Sequence, residues 1–453
     1  MKVLLVRPKP DKSTIGLQHV MICEPLELEY LLSNIPPDIK EEVNAVIYDF
    51  IVEKSSYEDI LRVEKPDLLV FTGYITHVKT IKNMAMIAKE ILPDVLTGVG
   101  GVHAEVVKSD FVDSKIDFIY AKNGVDGFNK TLEGILNGRD TTSIRADISI
   151  IEELDFNFSL NHPAREGVDK YRSNYYYMFH NPCSLIKTSY GCPYSCKFCF
   201  CKEITKGKYH SRSMEDVVNE LTGISEREIY IVDDDFLFGR EKLTEFISLL
   251  KSRKIEKNFL VYGRADFIAK NEDIILALKE VGLRAVIVGI ESIRDKDLDD
   301  YNKKTDVGIN EQCIGILKKL DIELYATLIL PMDFTKMDFN NLVKWLRNLD
   351  VTFVNLQPLT PLPGTDIYDD YKNDLLVDRE DYHLFDMAHV ILKPKYMSIR
   401  GYYYQILKSY YRIIIRPKHI IRLVKKYGIK ENIKMLKGSQ KVSLQYIMKI
   451  IRG

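Results

Sequence analysis

The sequence predicts an α/β protein in three parts: an N-terminal doubly wound (Rossmann-like) parallel sheet over residues 1–137, a partial (β/α)6 barrel over 183–386, and a basic helical C-terminal region over 387–453. Three observations predict it. Short apolar runs alternate with helix-length amphipathic stretches in the first third, a second series of six such runs follows a polar connector, and the C-terminal region reverses the charge balance of the rest. Periodic alternation of this kind is the primary signal of strand and helix, and β/α order implies a mostly parallel sheet.

In the first part the runs Val3–Val6, Ala45–Tyr48, Leu68–Thr72, Val95–Val99 and Phe118–Ala121 alternate with helix-like stretches such as Ile81–Ile91 and Gly127–Leu136. Ligands of doubly wound sheets gather beyond the carboxyl ends of the strands. Thr72, Gly73 and Thr76 stand there after the third run, and Gly98, Gly100, Gly101 and His103 after the fourth. Glycine has no Cβ and adopts positive φ, which suits a phosphate- or nucleotide-bearing cofactor, although Gly100 and Gly101 equally suit a simple turn. Judged locally, His77 and His103 read as bystanders.

A polar connector, Gly138–Arg145, opens an Asn- and Pro-containing stretch, so 138–182 is read as a linker between domains. The second series then runs Ser184–Thr188, Glu228–Val232, Phe259–Tyr262, Ala285–Val288, Leu324–Leu330 and Phe353–Leu356. Barrel chemistry sits on loops at the carboxyl ends of strands. The run Cys192-Pro-Tyr-Ser-Cys196-Lys-Phe-Cys199 follows the first strand of this series directly.

Hydrophobic residues make up 46% of the chain and charged residues 28%, a globular composition. The start, Met1-Lys-Val-Leu-Leu-Val-Arg7-Pro, reads as a first strand rather than a signal peptide, and no run approaches 18 apolar residues, so a cytoplasmic protein is expected. Seven cysteines in such a chain argue for metal or catalytic use rather than a disulfide framework. Cys192, Cys196 and Cys199 suit three irons of a [4Fe–4S] cluster, leaving the fourth iron open. The rival is structural zinc with Cys201 or His210 as fourth ligand, but C-x3-C-x2-C is not the paired-knuckle spacing of zinc sites.

From Ile391 onward sixteen Lys and Arg face a single acid, Glu431, and Pro417 and Gly428 divide this tail into about three helical pieces. Three readings stand: a solvated basic face over a packed stripe, peripheral contact with the inner face of a membrane, or an acidic or RNA partner. No specific nucleic-acid module is recognisable.

With Phe198 just before its last cysteine, the run resembles the signature of radical S-adenosylmethionine (SAM) enzymes. The resemblance continues through Asp233-Asp-Asp235, Tyr262-Gly-Arg264-Ala-Asp266, Gly289-Ile-Glu291-Ser292 and Thr360-Pro-Leu-Pro-Gly364-Thr365, and is to radical SAM proteins with a cobalamin (B12)-binding domain. It covers residues 1 to about 410, including Lys393-Pro-Lys-Tyr-Met-Ser398 before a tyrosine-rich helix, as in relatives acting in tetrapyrrole cyclisation and hopanoid modification.

The resemblance implies that Cys192, Cys196 and Cys199 hold the cluster, whose open iron binds SAM. It implies further that Asp233 and Asp235 receive the SAM amino group, that Arg264, Glu291 and Ser292 hold its carboxylate and ribose, and that Phe198 lies against it. Cobalamin would lie against Thr72, Gly73, Thr76, Gly100, Gly101 and His103. Three departures stand out. The D-x-H-x-x-G motif that supplies an axial histidine is absent after Val3–Val6, so histidine ligation of cobalt there is not expected; Ala121–Gly127 replaces a Gly-Glu-Gly-Glu-like turn; and Leu330-Pro331 lacks a preceding glycine.

The implied activity is cleavage of SAM to a 5′-deoxyadenosyl radical and methylation of an unactivated carbon in a small or lipid-like substrate, with flavodoxin or ferredoxin as electron donor. Oxidation, cyclisation or rearrangement with the same cofactors is the alternative. A non-catalytic iron–sulfur or zinc sensor is the reading from another class. Methylthiolation would need three further cysteines in the N-terminal part, which has only Cys23.

Overall fold

The structure, a computed structural model, describes residues 1–151 and 159–452. It divides into two compact units, one of Met1–Thr14, Glu24–Asn174 and Arg379–Leu384, the other of Ile15–Cys23, Tyr175–Asp378 and Phe385–Gly453.

The first unit is built on five parallel strands: β1 (Lys2–Arg7), β2 (Asn44–Asp49), β3 (Leu68–Thr72), β4 (Leu96–Gly100) and β5 (Phe118–Ile119). Their order is β2-β1-β3-β4-β5. This is a doubly wound topology whose order reverses between β1 and β3. Val3–Val6 and Leu68–Phe71 are buried throughout, as central parallel strands covered on both faces require. The helix Val78–Ile91 buries Val78, Ile81, Met84, Ala85 and Ala88 at three- and four-residue intervals, so its apolar stripe covers the sheet.

Much of the stretch expected as linker belongs to this unit. Asp140 caps a helix, Thr141–Ser149, by accepting bonds from the Thr142 and Ser143 amides at 2.9 and 3.0 Å, so residues that read as loop are a helix start. Val168 and Tyr171 are buried in a turn of 3₁₀ helix, with Tyr171 donating to Glu53 at 2.6 Å. Residues 152–158 of the expected linker lie outside the described residues.

The second unit holds six parallel strands: β6 (Cys183–Ile186), β7 (Glu228–Ile231), β8 (Asn258–Gly263), β9 (Leu283–Glu291), β10 (Glu323–Leu330) and β11 (Phe353–Pro358). They pair strictly in sequence, β6 to β11, as a partial barrel does. Helices such as Met214–Gly223, Arg240–Ser252, Val307–Lys319 and Lys336–Asn348 return the chain between strands and share one large apolar core with them. Tyr177 packs edge-on against Tyr230 and Tyr325, with ring centroids 5.1 and 5.7 Å apart, and Tyr230 lies 6.0 Å from Tyr262.

The C-terminal region starts as part of this core. In the helix Ile399–Ile414, Tyr402 donates to the Leu330 and Pro331 carbonyls, both at 2.9 Å, and Tyr410 accepts from the Leu356 amide at 2.8 Å. Its tyrosines therefore close backbone bonds at the ends of β10 and within β11. Among the described residues no helix is long and apolar enough to cross a membrane.

Candidate active site

All six strands of the second unit run the same way, so their following loops meet at one end, and the cysteine run lies on the first of these connections, after β6. Contacts from the loops after four other strands hold it. From the loop after β7, Asp234 accepts the Gly191 amide at 2.9 Å and the Cys201 thiol at 3.2 Å. From the end of β8, the Arg264 guanidinium lies over the Tyr194 ring, 3.6 Å from its centroid. After β9, Asn302 donates to the Ser195 carbonyl and hydroxyl at 2.8 and 3.0 Å, and the Tyr301 carbonyl accepts the Lys197 amide at 3.1 Å. After β11, the Ile367 amide donates to the Lys197 carbonyl at 3.0 Å.

The thiols sit in this clamp in different states. Burial pushes the Cys192 thiol up to about 12 and raises that of Cys196. Close pairing with Cys201 lowers the Cys199 pKa and raises that of Cys201. A thiolate at Cys192 or Cys196 thus requires a cation at the sulfur, which iron ligation supplies. No three His, Cys, Asp or Glu side chains among the described residues are grouped to hold a single ion. Zinc demands such convergence within about 2.3 Å, whereas the irons of a cubane are separate atoms that spread their ligands. Three cysteines on one connection are the donor set that a [4Fe–4S] cluster with an open iron takes.

The structure separates the two aspartates that the resemblance paired. Asp233 is fully buried and saturated: its carboxylate accepts the Thr188 amide and hydroxyl at 2.6 and 2.5 Å and the Ser189 amide and hydroxyl at 3.0 and 2.6 Å. It ties β7 to the chain leaving β6 through four bonds inside the protein. Asp235 is the opposite case. Both its oxygens are buried without a hydrogen-bond partner, and burial raises its pKa to about 7 against the pull of Arg264, Lys242 and Lys303. A buried carboxylate without donors is costly, and the ammonium of SAM is the donor it lacks.

Arg264 donates from Nε to Asp266 at 2.9 Å and from Nη2 to the Lys303 carbonyl at 2.8 Å, which fixes the guanidinium in place. Glu291 takes φ 61° at the end of β9, and its carboxylate accepts Lys303 Nζ at 2.8 Å. A Cβ at Gly289 would collide with that carboxylate, so the glycine makes the pair possible. Ser292 donates to Asp297 at 2.5 Å, and Asp297 is also gripped by Arg294. The Phe198 ring stands edge-on to Tyr301, with centroids 5.8 Å apart. Sequence reasoning missed Asp234 and Lys303. The first lies between the two aspartates to which the resemblance assigns the SAM amino group, and the second has no local pattern.

In the first unit, the residues reserved for cobalamin divide similarly. A Cβ at Gly98 would meet the Tyr120 ring at 2.8 Å, and one at Gly101, where φ is 98°, would meet Thr72 Oγ1 at 2.9 Å and the Gly73 backbone at 3.0 Å. These glycines serve internal packing. His103 is engaged: Asp110 stands 2.7 Å from its Nε2 and also accepts Arg379 at 2.6 Å. Thr72 donates to Glu27 at 3.0 Å, and Thr76 lies 3.4 Å from His77 Nδ1. Gly100 keeps ordinary clearance, with its nearest neighbour at 3.6 Å, and His77 Nε2 is buried without a partner. Of the residues expected at cobalamin, Gly100 thus has only ordinary van der Waals neighbours, while the His103 imidazole is taken up by Asp110.

Comparison with known proteins agrees with both units. Residues 186–346 match the Radical SAM superfamily and residues 13–129 match the B12 binding domain. The chain thus carries both a radical SAM domain and a B12-binding domain, and its cofactors are a [4Fe–4S] cluster, SAM and cobalamin. It is 27% identical over 435 residues to the hopanoid C-3 methylase of Methylococcus capsulatus, covering 93% of this chain and 81% of that protein. It is 21% identical over 399 residues to the anaerobic magnesium-protoporphyrin IX monomethyl ester cyclase of Cereibacter sphaeroides, covering 81% and 63%. Among solved structures it resembles the cobalamin-dependent SAM radical enzyme OxsB (TM-score 0.68, 14% identity, 96% and 72% of the two chains). It also resembles the radical SAM methyltransferase TsrM from Kitasatospora setae (TM-score 0.62, 16% identity, 87% and 82%).

Proposed function

We propose that this enzyme methylates an unactivated carbon of a small or lipid-like substrate, using SAM and cobalamin. The observation that carries the reading is Asp235, a buried carboxylate with no donor of its own beside the cysteine loop. When bound, the cluster supplies the electron that cleaves SAM, and cobalamin supplies a methyl carrier.

The chain's own residues bind and orient. Asp235 accepts the SAM ammonium, Arg264 is held rigid to meet its carboxylate, and Glu291 faces its ribose while Lys303 neutralises it. Ser292, occupied by Asp297, orients the turn after β9, and the Phe198 edge limits water at the cysteine loop. Backbone around Thr72, Gly73, Thr76 and Gly100 receives cobalamin. Tyr177, Tyr230 and Tyr325 give the barrel an aromatic lining, and Tyr262 remains 36% exposed, which suits an apolar substrate. A reductant of the flavodoxin or ferredoxin class delivers electrons from the cytoplasm.

Methylation is supported by the likeness to a hopanoid methylase along 93% of the chain. Cyclisation with the same cofactors is the second reading, favoured by the likeness to the ester cyclase. The test is anaerobic incubation of reconstituted enzyme with SAM bearing a deuterated methyl group and apolar polycyclic substrates, read by mass spectrometry. A product carrying the deuterated methyl establishes methylation. A product that has lost hydrogen without gaining the label points to cyclisation or oxidation, and absence of 5′-deoxyadenosine would leave a non-catalytic sensor.

A further inference from the structure

The final helix, Pro417–Arg452, is broken at Gly428, where φ is 75°. Beyond the break one face is fixed: Met435 and Tyr446 are buried, Tyr446 packs on Tyr403 with centroids 6.0 Å apart, and a Cβ on Gly438 would collide with the His19 carbonyl.

The other face is unusual. Ile429, Ile433, Leu436, Leu444 and Ile451 recur at spacings that place them on one stripe of an α-helix, and all are exposed, from 47% to 67%. A helix that packs through one stripe ordinarily turns polar side chains to water. This one turns branched aliphatic side chains outward over about 33 Å of its length, at 1.5 Å per residue. Lys430, Lys437 and Lys441 run alongside the stripe and make no ion pair among the described residues, and Glu431 is the only acid from Ile391 to the end.

We propose that this face lies on the surface of a bilayer containing anionic lipid, with the aliphatic stripe in the acyl boundary and the lysine ammoniums among the headgroup phosphates. The shape is that of an interfacial helix, a long apolar line flanked by cations. Charge selects against the other occupants. A second copy docked face to face would oppose lysine to lysine, and a neutral surface would leave the lysines uncompensated. The placement is independent of the reaction proposed above.

The test is flotation of the full chain with vesicles of phosphatidylcholine alone and of phosphatidylcholine mixed with phosphatidylglycerol. We expect binding to the mixed vesicles only, weakened by added salt. Leu436→Ser with Leu444→Ser is expected to lose about tenfold or more in affinity, because two leucine side chains no longer leave water. Lys437→Glu with Lys441→Glu is expected to abolish the preference for anionic lipid. All four residues lie on the exposed side of the helix, away from the fixed face, so an unchanged melting temperature shows that each variant is folded. No binding to either vesicle, equal binding by the folded variants, or a dimer of the native chain that the leucine variant dissociates would each overturn the proposal.

Discussion

The Arg264 guanidinium lies 3.6 Å from the centroid of the Tyr194 ring. Arg264 directly follows β8 and Tyr194 sits between Cys192 and Cys196, so this contact joins the proposed SAM carboxylate ligand to the cysteine loop. Cation–π contacts contribute about 0.5–2 kcal/mol. Tyr194→Ala should therefore weaken SAM binding by about threefold to thirtyfold while iron content is retained, and equilibrium dialysis of reconstituted protein checks it. Tyr194→Phe keeps the ring and should bind as the native enzyme does.

Asp233 and Asp235 are chemically identical and should fail differently. Asp235→Asn removes a charge-assisted bond worth about 1.5–3 kcal/mol, so SAM affinity should fall about tenfold to a hundredfold with little change in thermal stability. Asp233→Asn instead replaces one carboxylate oxygen by an amide NH2, so two of the four donors at Thr188 and Ser189 lose their acceptor, and it should lower the melting temperature. Calorimetric binding and melting curves on both variants separate the two roles.

Lys303 and Glu291 are both nearly buried, with side-chain exposures of 9% and 8%. Removing one partner of such a pair leaves the other charge without compensation, which costs about 3–5 kcal/mol. Lys303→Met should show that loss in denaturant unfolding. Lys303→Met combined with Glu291→Gln should recover most of it without recovering SAM cleavage, measured as 5′-deoxyadenosine.

Burial and the nearby Arg7 lower the His77 pKa to about 4, against an ordinary 6.5. Between those values the unfolded chain holds a proton that the folded chain excludes. The stabilisation is therefore complete above pH 6.5 and lost as the pH falls toward 4. Its ceiling is about 3 kcal/mol at about 1.4 kcal/mol per unit. Urea unfolding from pH 7 down to pH 5 should show a steeper loss for the native chain than for His77→Asn.

Cys201 is the cysteine nearest the run in sequence, and it bonds to Asp234 and Cys199. Cys196→Ala should abolish both the cluster and SAM cleavage, whereas Cys201→Ala should retain about four irons per chain, the number in a [4Fe–4S] cluster. Iron analysis and absorbance spectra decide between a three-cysteine cluster and a site that needs the fourth thiol.

The strands were legible because their signal is local. Runs such as Val3–Val6 and Leu324–Leu330 are apolar because parallel strands are buried on both faces, and this holds whatever lies beside them. The same is true of the cysteine run, whose three thiols fall within eight residues of one connection. Asp140 was misread because aspartate looks the same in a loop and at a helix start until its partners are known.

The order of strands, the cysteine spacing and the outward-basic tail were thus determined by the sequence itself, since each follows from neighbours in the chain. Only the tertiary structure decided that Asp233 is spent on Thr188, 45 residues away, while Asp235 is left open. It likewise decided that Lys303 faces Glu291, that His103 belongs to Asp110, and that Gly98 makes room for the Tyr120 ring. The physical reason is that a polar group's role is set by which donors and acceptors remain unsatisfied around it, and those are chosen by strands meeting in space.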